Sequence, residues 1–180
     1  MYLDTPSSFR SPHLLTPSLG NSASFTLGDG SFFATGTAGV TSIIPKPIPE
    51  DIRYLLALLN SSLISFYLIS HSPVYRGGYH KFSAPYLKDV PIRRIDFTNK
   101  EDVSAHDYLV EAAEEMIRLS TAYFTALEQK EDTRYSLLDS IREISGRIDE
   151  TIFRLYNISP AEASLVESAH IAFPPGEPSG

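Results

Sequence analysis

Cysteine is absent from this chain. Neither a disulfide frame nor a thiolate metal site is therefore open to it, and a reducing cytoplasm is its natural compartment. Long apolar runs are missing too. The longest, Tyr54 to Ile69, is broken by Asn60-Ser61-Ser62 and falls short of the roughly 20 residues that cross a bilayer, so it reads as buried helix and no membrane is expected as a partner. The opening Met1-Tyr2-Leu3-Asp4 lacks the basic stretch and apolar core of an export signal. Signatures of chemistry are equally sparse. The glycines at 28, 30, 36 and 39 form no Gly-x-Gly-x-x-Gly element, no Gly-Lys-Ser/Thr marks a phosphate loop, and no Gly-x-Ser-x-Gly marks a hydrolase elbow. His13, His71, His80, His106 and His170 lack the close spacing of a zinc site, and no Asp/Glu/Lys group suggests a nuclease metal. Glu111, Glu114 and Glu115 lie away from the apolar stripe of their segment and read as a solvated face.

What is present is an uneven charge. The net −7 conceals two different halves: residues 1–97 hold eight Lys/Arg against six Asp/Glu, and residues 98–180 hold seven against sixteen. Within the first half, His71 to Arg94 gathers Arg76, Lys81, Lys88, Arg93 and Arg94 against the single acid Asp89. That is a local basic patch on an otherwise acidic chain.

Local signals divide the chain in the same way. The first fifty residues are rich in Ser, Thr, Gly and Pro, with β-prone pieces at 14–16, 24–27, 31–34 and 40–44 and a hairpin signal at Gly28-Asp29-Gly30. Pro45, Pro47 and Pro49 then forbid regular structure, and Glu50-Asp51 introduce a helix in which Leu55, Leu58, Leu59, Leu63, Phe66 and Tyr67 recur at helical spacing. Asn60-Ser61 is either tolerated in that helix or divides it. From His71 to Arg94, Pro73, Gly77-Gly78, Pro85 and Pro91 predict an irregular loop carrying charge. Two amphipathic helices follow, with stripes at Leu109, Ala113, Met116, Ile117, Phe124 and Leu127 and at Leu138, Ile141, Ile144, Ile148 and Ile152. The polar stretch Glu128 to Arg134 reverses them into an antiparallel pair, one long bent helix being the alternative. Ser159-Pro160-Ala161-Glu162 is a capping box opening a last short helix, and Phe173 to Gly180 reads as a frayed tail. The fold class is α+β: a small mixed α/β unit over 1–97, a helical region over 98–170 and a tail over 171–180.

Four stretches are familiar in combination: Tyr54-Leu55-Leu56-Ala57-Leu58-Leu59-Asn60-Ser61, Gly78-Tyr79-His80-Lys81-Phe82, Tyr86-Leu87-Lys88-Asp89-Val90-Pro91-Ile92, and the run from Ile148 through Leu155-Tyr156 to the capped Pro160-Ala161-Glu162. Their order resembles the TaqI-like C-terminal specificity domain of adenine-N6 DNA methyltransferases and fused restriction-modification enzymes. Ser11-Pro12-His13-Leu14-Leu15-Thr16-Pro17 is similar to that family's first strand, with His13 where a basic residue often stands. The resemblance implies a recognition domain that reads duplex DNA through loops, followed by helices that pack on the rest of the enzyme or its partner. It implies no catalysis and no cofactor of its own, and a methyltransferase catalytic domain as partner, in cis or in trans.

The residues agree with a non-catalytic role. Adenine methylation needs an Asn/Asp-Pro-Pro-Tyr/Phe element to hold a flipped base. The one Pro-Pro here, Phe173-Pro174-Pro175-Gly176, has neither the carboxamide nor the ring. For DNA contact the chemistry favours Arg76, Tyr79, His80 and Lys81, with Lys88, Arg93 and Arg94 as further phosphate ligands. Beside this stands a plainer reading, in which Tyr79, Phe82, Tyr86 and Leu87 are core anchors of the loop. A different function class also fits: the acidic helical pair from Asp102 to Tyr156 would dock a protein partner or imitate DNA's charge. Burial of the basic loop against those helices favours the second, and exposure favours DNA.

Overall fold

The computed structural model describes residues 12–22, 24–28, 39–75 and 77–171. The strand expected at 31–34, the turn residues Asp29 and Gly30, Arg76 and the tail from 172 onward lie outside them. β1 (His13–Pro17), β3 (Thr26–Gly28) and β4 (Val40–Ile43) form an antiparallel sheet in the order β3-β1-β4, and β2 (Leu19–Gly20) pairs with β5 (His80–Lys81). The register sets His13 opposite Gly28. His13 is wholly buried, and a Cβ at residue 28 would stand 2.1 Å from its Nε2, so glycine is what lets the ring lie there.

The proline-rich stretch delivers the chain to α1 (Ile52–Leu59), buried continuously from Tyr54 to Leu59. Asp51 caps it, accepting the N–H of Arg53 at 2.8 Å. Asn60-Ser61 does divide the apolar run: α2 (Ser62–His71) begins there, bent by 62° from α1. The side chains make the break. Ser61 Oγ donates to Leu58 O and accepts the N–H of Ile64. Asn60 leaves the helix to pair with the backbone of Phe25, accepting its N–H at 2.8 Å and donating to its carbonyl at 2.9 Å. The sheet is thereby tied to the helix break. Among the described residues no single helix is long and apolar enough to cross a membrane.

The segment 71–94 is less irregular than its prolines and glycines predict. It contains β5 and the short α3 (Ala84–Leu87), because Phe82 plunges into the core and fixes both ends of the path. α4 (Lys100–Glu128) and α5 (Thr133–Leu155) reverse at Gln129–Asp132, where Lys130 takes a positive φ of 56°, and pack as an antiparallel pair. α6 (Pro160–Ile171) closes the chain on α2, and its capping box is formed: Ser159 N–H and Oγ both donate to the Glu162 carboxylate. That pairing holds the Glu162 carboxyl below its usual range.

One apolar cluster joins both halves. Leu14, Tyr54, Leu58, Leu68 and Phe82 meet Leu109, Ala113, Ile148 and Ile152, so the boundary drawn at residue 97 crosses a shared core. The buried face of α4 runs from Leu109, Ala112 and Ala113 at that core on to Leu119 and Ala126. Ile117 and Phe124, expected on the apolar stripe, are exposed: the buried positions Ala112, Leu119 and Ala126 follow one another at seven-residue steps, which leaves 117 and 124 off that face.

Candidate nucleic-acid interface

The basic segment is built as a turn on buried footings. Tyr75 N–H donates to Tyr79 O at 2.7 Å and Gly78 N–H to Tyr75 O at 3.1 Å, closing a tight reversal. Gly77 and Gly78 both have positive φ, 85° and 78°, which a side chain would strain. Val74 bridges to His80 across it. Behind the turn, Phe82 N–H donates to Ser18 O, Thr41 Oγ1 donates to Phe82 O, and the Phe82 ring is fully buried.

Alternation along the strand decides which side chains face out. His80 points inward: its ring is buried and its Nδ1 lies 3.0 Å from Ser72 Oγ. Its neighbours Tyr79 and Lys81 therefore point outward. Tyr75, opposite Tyr79, shares that face, and Lys81 Nζ sits 5.8 Å from the centre of the Tyr75 ring. Tyr75 and Tyr79 are 43% and 46% exposed, and Lys88, just beyond α3, is exposed as well. Lys81 and Lys88 enter no ion pair among the described residues.

Arg93 and Arg94 are placed differently. Arg93 donates to both carboxylate oxygens of Asp102, at 3.0 and 3.2 Å, and through Nε to the Leu155 carbonyl that ends α5. Arg94 grips Glu50 with two N–H groups, at 2.7 and 3.1 Å, and the Glu50 side chain is only 1% exposed. Burial pushes the Glu50 carboxyl up, but Arg94 and the N–H of Ile95 outweigh it and hold it below its usual range. Two tyrosines complete the clamp. Tyr54 Oη donates to Arg93 O at 2.6 Å, and Tyr156 Oη accepts the Arg93 N–H while donating to Pro91 O. Burial, above all, pushes both phenols upward.

Of the seven residues that sequence singled out, the fold thus gathers Tyr79 and Lys81 on one outward face, leaves Lys88 free at the end of the same segment, and turns His80, Arg93 and Arg94 to internal partners; Arg76 lies outside the described residues. Tyr75, which belongs to the same face, is not among the seven. Its opposition to Tyr79 across a Gly-Gly turn is the signal that finds it. Among the described residues no group of three or more His, Asp or Glu side chains is placed to hold a metal ion.

Comparison with known proteins places this segment, up to residue 92, within a matched unit. Residues 4–92 match the TaqI-like C-terminal specificity domain. The chain is also 34% identical over 76 residues to the Type II methyltransferase M.HincII of Haemophilus influenzae, a stretch that covers 42% of this chain and 15% of that protein. A match of the same identity and length is made with the Type II methyltransferase M.HindII of the same species, covering 14% of it. The matched stretch therefore spans about one seventh of these relatives.

Proposed function

We propose, from the match of residues 4–92 to the TaqI-like C-terminal specificity domain, that this chain selects duplex DNA targets for an adenine-N6 methyltransferase while the methyl transfer is carried out by a separate catalytic domain, in cis or in trans. The observation that carries the reading is the sorting of charge in the segment 74–94. Cations that hold the fold, Arg93 and Arg94, are bound to Asp102 and Glu50, whereas among the described residues Lys81, beside the outward Tyr75, and Lys88, exposed beyond α3, enter no ion pair. Unpaired cations on a firmly founded turn are what phosphate neutralisation requires. Arg76 and Tyr79 join Lys81 and Lys88 as the DNA-contacting set, while His80, Arg93 and Arg94 bond to Ser72, Asp102 and Glu50.

The helical pair supplies the second surface. Phe124 on α4 and Tyr135 on α5 are each 60% exposed, with Ile117 nearby on the same helix as Phe124. Aromatic rings of that kind are typical anchors of a protein interface, and the catalytic domain is the partner assigned to them. In such an assembly the acidic helices face protein, which leaves the basic turn to face DNA.

The test is anisotropy of a labelled random-sequence duplex titrated with the protein at several salt concentrations. Binding in the range of roughly 10⁻⁴ to 10⁻⁶ M is expected, weakening with salt. Lys81→Ala and Lys88→Ala should each reduce the salt slope by about 1. Absence of salt-sensitive binding at low ionic strength would dismiss this reading and leave the acidic helices as a docking or DNA-mimicking surface.

A further inference from the structure

The turn at 75–79 carries more than charge, and its rings ask for an explanation that phosphate binding does not provide. Tyr75 and Tyr79 are a directly opposed cross-strand pair on the outer face, joined by the 2.7 Å backbone bond from Tyr75 N–H to Tyr79 O. Neither ring is used by the core. Each is nevertheless backed: Lys81 Nζ lies over Tyr75, and the Tyr79 ring lies against Gly77, where an added Cβ would stand 3.1 Å from it. The base of the turn is held by buried His80 and Phe82. Two partly exposed aromatic rings therefore stand opposite each other at the end of a short hairpin, with a cation beside one of them.

We infer that this tip is a base-stacking wedge: Tyr75 and Tyr79 enter a groove and stack against a base step that opens as the duplex is bound. This rests on the DNA-binding reading above. Stacking on an aromatic ring needs no particular base, since every base has a π-face, and it repays the cost of opening a step. Opening a step also serves an enzyme that must extract a base, because a locally unstacked duplex has part of that cost already met. A tip built for phosphates alone would need Lys81 but neither ring.

The deciding measurement compares two labelled duplexes of one sequence, one intact and one with a single central abasic site, titrated with the full chain. The abasic duplex has its unstacking cost removed, so the wild-type protein should prefer it by roughly 5- to 100-fold. Tyr79→Ala and Tyr75→Ala should abolish most of that preference. Tyr79→Phe should keep the preference, because stacking uses the ring. Equal wild-type binding to both duplexes overturns the wedge and leaves DNA binding standing. So does a Tyr79→Phe variant that behaves like Tyr79→Ala, since the hydroxyl is then a phosphate ligand. Binding to neither duplex removes the DNA reading and the wedge together. Both rings are exposed, so coincident thermal melts confirm that the variants fold; the wild-type comparison and Tyr79→Phe decide the matter without the alanine variants.

Discussion

Asp149, on α5, accepts the backbone N–H of Ser62 at 2.8 Å and so caps the first turn of α2 from 87 residues away. A carboxylate at a helix N-terminus satisfies an orphan donor and meets the positive end of the dipole. Ser61 serves the same turn locally, so α2 is capped twice, once by its own sequence and once by the helical region. Asp149→Ala is expected to cost about 1 kcal/mol, a fall of roughly 2–4 °C in melting temperature for a chain of this size. Asp149→Asn, which keeps an acceptor, should restore part of it. Equal melting of Asp149→Ala and wild type would show that the cap is idle.

Asn60 performs a comparable task in the other direction, binding both the N–H and the carbonyl of Phe25 as an adjacent strand would. Phe25 is buried, so Asn60→Ala strands two polar groups away from water. The expected cost is about 1–3 kcal/mol. Hydrogen exchange locates it: the amides of Phe25 to Gly28 should exchange faster than those of β4. Asn60→Asp should not rescue, because a carboxylate has no donor for the Phe25 carbonyl. Uniform acceleration across all strands would mean that Asn60 acts through global stability alone.

These two contacts also show what a sequence can and cannot disclose. The capping box at Ser159 and Glu162 was legible because both partners lie within one turn, and the reversal at Gln129–Asp132 was legible because a polar run ends two apolar stripes. The break at Asn60-Ser61 was visible as an interruption, though not its use, since Phe25 lies 35 residues back. In the basic segment the composition was right and the roles were not separable. His80 faces inward because β5 pairs with β2, about sixty residues earlier in the chain, and a two-residue strand leaves no periodic trace. Arg93 and Arg94 read as part of one patch until Asp102 and Glu50 come alongside. The stripe of α4 was right at Leu109 and Ala113 and wrong at Ile117 and Phe124, because small and lone apolar residues, Ala112, Leu119 and Ala126, carry the buried face and weigh little in a pattern of large side chains.

Asp51 gives a prediction in pH. Its side chain accepts the Arg53 guanidinium and backbone N–H, and these hold its carboxyl at about 2, against 3.8 for an unhindered one. A carboxyl lowered by folding contributes stability above its unfolded pKa and loses it as pH falls through the folded one. Asp51→Asn should therefore be less stable than wild type at pH 7, by about 1 kcal/mol at a site about a third open to water. The gap should close as pH drops from about 4 to about 2. Chemical denaturation of both proteins across that range measures it, and a gap that stays constant to pH 2 would mean that the charge of Asp51 is not what caps α1.

Arg93 and Arg94 provide the sharpest separation between fold and function. If both are structural clamps, their removal must lower stability without touching the dependence of DNA binding on salt. Arg93→Ala deletes two bonds to Asp102, whose side chain is 10% exposed, and one to the Leu155 carbonyl, at an expected cost of about 1–2 kcal/mol. Arg94→Ala lowers the melting temperature as well, because the buried Glu50 carboxylate loses its cation and keeps the Ile95 N–H. Neither should change the salt slope on a random-sequence duplex. A phosphate ligand behaves in the opposite way, reducing the slope by about 1 and leaving the melt unmoved. Measuring melt and slope on the same preparations of the Arg93, Arg94, Lys81 and Lys88 variants thus sorts the four cations into two classes. A slope that falls with Arg93→Ala or Arg94→Ala would assign that guanidinium to DNA and require its bond to Asp102 or Glu50 to open on binding.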